Sequence, residues 1–269
     1  MPRPHHAGGR RGNSGTSAPT AAGKGAGVRP EPLTASPPRP VHPALLRQDW
    51  RDVTFLHWAL DPAPAAALLP AGTRPDVLDG RTFVGIVALR MQRTALLGGP
   101  ALPWVGSFGQ VNVRLYAVDG AGRRGVVFLS LDAERLPPAV GARWTAGLPY
   151  SWARVEFDRH GDRRTYGLRR RWPVPPPGHA RIAVRVGAPR IPGPEELFLT
   201  ARWGFHHRLA GRTVYGQVEH APWRLRTAEL LDLDTDLLAV LGPGAPTGPP
   251  VSVLFSPGMD DVRIGLPAT

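Results

Sequence analysis

Three hydrogen-bonding side chains fall on alternate positions of one short segment, Val111-Asn112-Val113-Arg114-Leu115-Tyr116. A period of two is the mark of a strand, so Val111, Val113 and Leu115 share one face and Asn112, Arg114 and Tyr116 the other. On an open sheet that polar stripe would meet water. Lining a barrel cavity, Arg114 could instead grip a carboxylate in a bidentate fork while Asn112 and Tyr116 fix the orientation of what is held. Symmetric pairing about Asp119-Gly120-Ala121-Gly122 with the segment Gly125 to Ala133 would set Ser130 opposite Arg114 and Asp132 opposite Asn112. Asp132 then either neutralises Arg114 in an ordinary ion pair or acts as a base.

The histidines are the second source of chemistry. His57 precedes Trp58, His206 and His207 are adjacent, and His220 opens His220-Ala221-Pro222-Trp223. None has the spacing of a metal-binding helix, so no metal site is expected. His206 and His207 would point apart on regular structure and are expected to cover a helix end, where a cation is favoured. His57 and His220 remain as candidate general bases beside Asn112, Arg114, Tyr116 and Asp132, the set expected to bind a substrate; no catalytic residue is assigned.

Other chemistries fall away on residue type. There is no cysteine, which excludes disulfides, thiolate nucleophiles and cysteine-ligated metals. Gly106-Ser107-Phe108-Gly109 lacks the spacing of a serine-hydrolase elbow. Lys24 is the only lysine; its surroundings, Gly23-Lys24-Gly25-Ala26-Gly27, lack the hydroxyl residue and the preceding strand of a phosphate loop. No cofactor is expected.

The elements that must position these residues read as follows. Residues 1–44 are rich in proline and glycine, basic and without hydrophobic periodicity, and are expected to be a disordered tail. From Trp50 the texture becomes β-branched and aromatic, and 45–269 reads as a single domain. Asp61-Pro62 supplies a cap and first residue for a short helix stopped by Pro70. Arg81 to Met91 reads as a strand, and Val111 to Val118 with Gly125 to Ala133 as a hairpin. Pro137 to Thr145 reads as a short helix, and Trp152 to Asp158 with Arg164 to Arg171 as a second hairpin. Arg181 to Val186 adds a strand, and a helix opens at Pro194-Glu195-Glu196 with Leu197, Phe198, Ala201 and Phe205 on its apolar face. Val214 to Arg226, Val251 to Phe255 and Val262 to Leu266 return to strands. Strands follow strands through short turns and helices come singly, so the fold class is mainly β, a curled or closed antiparallel sheet with a few peripheral helices.

The net charge of +12 raises the question of nucleic acid, but the charge is nearly all arginine in a background of alanine, glycine and proline, as GC-rich coding produces whatever the function. A solvated basic surface is the simpler reading. Arg169-Arg170-Arg171-Trp172 pairs a basic run with an aromatic, as single-strand binders do, but its place at a hairpin end suits a protected sheet edge. No stretch approaches the roughly 18 apolar residues of a membrane span. The residues after Arg10-Arg11 are too polar for an export signal, so a cytoplasmic location is expected.

Taken in order, Phe55-Leu56-His57-Trp58, Leu69-Pro70, Asp79-Gly80, Asn112-Val113-Arg114-x-Tyr116, Ser130-Leu131-Asp132-Ala133, Leu148-Pro149-Tyr150 and His220-x-Pro222-Trp223 resemble the YqjF-like family, a bacterial family whose domain has no established function. The resemblance covers about residues 48 to 260. It implies an acetoacetate-decarboxylase-like fold, a curled barrel or cone with an internal cavity. Decarboxylases of that fold form an imine on a buried lysine, and this chain has no lysine to which the role could pass. The expectation is a cavity for a small anionic or carbonyl-bearing molecule, used for binding or for non-covalent acid-base catalysis.

Overall fold

The computed structural model describes residues 28–135, 147–173 and 178–268. Twelve strands dominate them: β1 (Ala44–Leu60), β2 (Thr73–Pro75), β3 (Thr82–Leu96), β4 (Phe108–Asp119), β5 (Arg124–Ala133), β6 (Tyr150–His160), β7 (Arg163–Trp172), β8 (His179–Pro189), β9 (Gly204–Leu209), β10 (Arg212–Glu219), β11 (Arg226–Thr235) and β12 (Ser252–Gly265). Between them lie α1 (Pro62–Ala66), α2 (Pro194–Thr200) and a 3-10 segment over Leu237–Gly244. Asp61 caps α1 through its carboxylate on the Ala63 N–H, as the sequence suggests. Among the described residues no helix is long and apolar enough to cross a membrane.

The sheet closes on itself twice. Nine strands form one ring in the order β5-β6-β7-β8-β11-β12-β1-β3-β4 and back to β5. Pairings of β5 with β9 and of β10 with β12 close a second ring of seven strands, β12-β1-β3-β4-β5-β9-β10. All pairings are antiparallel except β5 with β6 and β5 with β9. The two rings share the wall β12-β1-β3-β4-β5, so this wall is buried on both faces. That is why Phe83 to Leu89 on β3 is a nearly unbroken apolar run, with every residue from Phe83 to Leu89 buried.

Alternation along the wall sorts side chains between the rings. Leu56, Trp58, Val84, Ile86, Val111, Val113 and Leu115 point into the nine-stranded ring and pack with Tyr166, Leu168, Ile182 and Val184 from the far side. Phe55, His57, Val87, Asn112, Arg114 and Tyr116 occupy the alternate positions and face the seven-stranded ring, whose interior is completed by Phe198 and Leu199 of α2, Phe205 of β9 and Val218 of β10.

Several expectations need correction. Residues 28–43, which composition assigns to the tail, lie on the barrel: Glu31 N–H donates to Gly122 O, Trp203 Nε1 donates to Thr34 O, and Val41 is buried. A run poor in apolar residues is held there through its backbone polar groups. Helix α2 ends at Thr200, and Phe205 belongs to β9. His206 and His207 therefore do not cover a helix end; both are buried within β9. The segment Val214 to Arg226 is split between β10 and β11, whereas Val251 to Leu266 is largely one strand, β12. The helix expected over Pro137 to Thr145 lies wholly outside the described residues.

Candidate functional site

The site is built on three adjacent strands. His57 of β1 pairs with Gly85 of β3, and Gly85 pairs with Arg114 of β4. Gly85 sits inside an otherwise apolar strand, where its neighbours leave little room for a side chain. A β-carbon there would lie 3.1 Å from His57 Cδ2, 3.3 Å from the Tyr116 hydroxyl and 3.5 Å from Arg114 Nε. Three polar side chains therefore converge on one glycine inside the seven-stranded ring.

Helix α2 orients two of them. The Leu199 carbonyl accepts from Arg114 Nη2 at 3.2 Å and from the Tyr116 hydroxyl at 2.9 Å. Arg114 also lies over the rings of Phe55 and Tyr116, its Cζ 5.6 Å from each centroid. Its Nε is buried without a hydrogen-bond partner, and among the described residues no carboxylate pairs with it. Asn112, two residues earlier on the same face, is buried with its Oδ1 unpaired.

His57 is fully buried and neither ring nitrogen has a partner. Burial holds its pKa well below the usual histidine value, and the cationic Arg114 and Arg202 push in the same direction, so the imidazole is neutral. His220 is likewise held down to about 4, by burial first and the charge of Arg114 as a lesser cause. Its Nδ1–H donates to Ala221 O at 2.7 Å, which leaves Nε2 as the lone-pair nitrogen. Trp50, Trp203 and Trp223 surround the His220 ring, with centroids 5.5, 4.5 and 5.0 Å away. Trp223 in turn meets Phe55 edge-on at 5.1 Å, so an aromatic layer links His220 to the Arg114 region.

Asp132 is not part of this group. Near the turn Val118 pairs with Arg124 and Arg114 with Phe128; a β-bulge then shifts the register, setting Val113 opposite Ser130, Asn112 opposite Leu131 and Val111 opposite Asp132. One extra residue on β5 exchanges the faces, turning Asp132 to the side of Val111 and away from Arg114. There its carboxylate is completely buried and takes a two-pronged bond from Arg170, 2.6 Å to Nε and 2.9 Å to Nη2.

Three further members are not announced as site residues by the sequence. Arg202, just after α2, is buried with its Cζ 4.7 Å from the Tyr116 centroid and 4.3 Å from that of Phe198. Its Nη1 donates to Asp76, which is also gripped by Arg124 at 2.5 and 2.6 Å. Its Nη2 is buried and unpaired. Arg202 and Asp76 meet from positions 126 residues apart, with no local pattern to announce either. Gly85 did carry a signal, a lone glycine in a strand of large apolar residues. Among the described residues, no three or more histidine, aspartate or glutamate side chains are grouped as a metal site would need.

The double ring with its flanking helices defines the class: an acetoacetate-decarboxylase-like fold. Solved structures agree. Acetoacetate decarboxylase from Legionella pneumophila matches with a TM-score of 0.61 at 16% identity, over 86% of this chain and 90% of that one. An acetoacetate decarboxylase-like enzyme from Sphingomonas wittichii gives 0.57 at 15% identity, over 84% and 92%. The enduracididine biosynthesis enzyme MppR, complexed with the condensation product of pyruvate and imidazole 4-carboxaldehyde, gives 0.55 at 19% identity, over 95% and 98%. Residues 47–260 match the DUF2071 family, described as an uncharacterized conserved protein, and the chain belongs to that family. The uncharacterized protein YqjF of Bacillus subtilis is 29% identical over 187 residues, covering 69% of this chain and 76% of that protein.

Proposed function

We propose that the protein binds a small anionic or carbonyl-bearing organic molecule inside the seven-stranded ring, with Arg114 as the seat of the negative charge. The observation that carries this reading is a partly buried guanidinium whose Nε is unpaired and which has no carboxylate partner among the described residues. An uncompensated cation in such surroundings is costly, and an anionic ligand would relieve the cost. The fold neighbour MppR has been captured with pyruvate, which makes pyruvate a fitting first probe. Tyr116 and Asn112 would orient the bound molecule, and His57 and His220 would face it as neutral imidazoles.

No imine forms in this reading, because the chain from residue 28 onward contains no lysine. A second reading, acid-base catalysis on the bound molecule, looks to His57: its neutral imidazole has two unsatisfied nitrogens beside Arg114, and a bound anion would offset the guanidinium charges that keep it a weak base. Nucleic-acid binding has no such supporting feature in this ring.

The test is to denature freshly purified protein and identify released small molecules by mass spectrometry. A small organic acid released by the wild type and absent from Arg114→Ala supports the reading; equal release from both contradicts it. Borohydride treatment with pyruvate should leave residues 28–269 unmodified, and a reduced adduct there would overturn the exclusion of imine chemistry.

A further inference from the structure

A recess lies outside the seven-stranded ring, where the β3–β4 loop meets β6 and the ends of β5 and β7. It is open to the surface, has a volume of about 430 Å³ and is lined by Trp104 and Trp152. Arg135 stacks on Trp104 with Cζ 4.5 Å from the ring, and Arg171 stacks on Trp152 at 4.9 Å. Trp152 is pinned by its Nε1–H, which donates to Glu134 O at 3.2 Å.

Two features are hard to explain as scaffold. Trp104 has a left-handed backbone (φ 57°), a costly conformation for an aromatic residue, and keeps its side chain at 65% exposure. Arg135 Nε is buried without a partner. The charges do not cancel either. Glu134 is taken by the Gly109 N–H at 3.0 Å and by Arg135 at 3.5 Å, and Glu156 by Arg154 at 2.6 Å. Arg171 is left with no carboxylate partner among the described residues, so three guanidiniums face two carboxylates.

We infer that this recess is a binding site for a planar aromatic molecule bearing one negative group, its ring lying on the exposed indole of Trp104 and its anion meeting Arg171 and Arg135. Stacking on tryptophan and arginine supplies affinity for a flat π-system, the surplus guanidinium selects the anion, and the volume suits a small ligand. Two chemical sources fit, an aryl carboxylate and a nucleoside monophosphate. The motif Arg169-Arg170-Arg171-Trp172 thus contributes Arg171 to a pocket as well as ending a hairpin.

The test is isothermal titration at low salt with 2-naphthoate and with AMP, alongside acetate and adenosine, which carry only the charge or only the ring. The ring-bearing anions should bind and the two partial probes at least tenfold more weakly. Trp104→Ala and Arg171→Met, both at exposed positions, should each weaken binding tenfold or more without lowering the melting temperature. Tighter binding of 2-naphthoate identifies the carboxylate as the source, tighter binding of AMP the phosphate. Arg114→Met should leave these affinities unchanged, which separates this site from the one in the seven-stranded ring. Failure of both ring-bearing anions to bind, acetate or adenosine binding as tightly, or affinities untouched by Trp104→Ala and Arg171→Met would overturn the proposal.

Discussion

The two rings share a wall but not a chemistry. The nine-stranded ring is filled by aliphatic and aromatic side chains that interlock from both sides, and its buried charges are matched, Asp132 with Arg170 and Asp52 with Arg164. The seven-stranded ring places Arg114, Arg202, His57 and Asn112 among apolar neighbours and leaves a buried nitrogen or oxygen of each unpaired. The unpaired atoms on the nine-stranded side are hydroxyls, those of Thr82 and Ser130, whereas the seven-stranded ring leaves guanidinium, imidazole and amide groups unmet, the kind of unmet capacity on which the proposed site rests.

If the contrast is right, substitutions in the two rings should separate stability from binding. Asp76→Ala should have the largest effect on stability. It strips the buried Arg202 of its counter-charge, a change that costs about 3–5 kcal/mol, read as a lower urea midpoint. Arg202→Met in the same background should restore most of that loss, and no recovery would show that Asp76 acts through other contacts. Ile182→Ala, in the wholly buried far side of the nine-stranded ring, should cost about 2–5 kcal/mol from the cavity left behind. Affinity for pyruvate should not change, and a parallel loss would mean the two rings are not functionally distinct.

Gly85→Ala sharpens the comparison from within the site. The new methyl would press on His57, Tyr116 and Arg114, costing about 1–3 kcal/mol by overpacking. Pyruvate affinity should fall tenfold or more; normal affinity would place the ligand elsewhere.

A smaller effect comes from pH. His206 and His220 are held at about 4 in the folded protein against an ordinary value of 6.5, so the unfolded chain takes up protons that the folded one refuses. The resulting stability is complete above pH 6.5 and is lost as the pH falls from 6.5 towards 4, by up to about 1.4 kcal/mol per pH unit for each histidine. Urea midpoints at pH 7.5, 6 and 5 should decline in that order, and Tyr or Gln in place of His220 should flatten the decline.

Much of this architecture is legible in the residues. The alternation at Val111 to Tyr116 places Asn112, Arg114 and Tyr116 on one face, and the strand succession argues for a curled, closed sheet. What local pattern could not carry is register and distant contact. A single extra residue on β5 sends Asp132 to the other ring, where Arg170 meets it. Asp76 and Arg202 are joined only by the closure of the sheet, and the burial of His206 and His207 follows from the β9–β10 pairing and not from the helix before it.

The most direct test of the whole account is Arg114→Met, followed by thermal melting and by calorimetric titration with pyruvate. Removing a partly buried cation that has no carboxylate partner among the described residues, in favour of an apolar side chain of similar length, should leave the melting temperature unchanged or raise it, while pyruvate affinity falls tenfold or more. Retained binding together with a lowered melting temperature would contradict the account and make Arg114 a structural residue of an ordinary core.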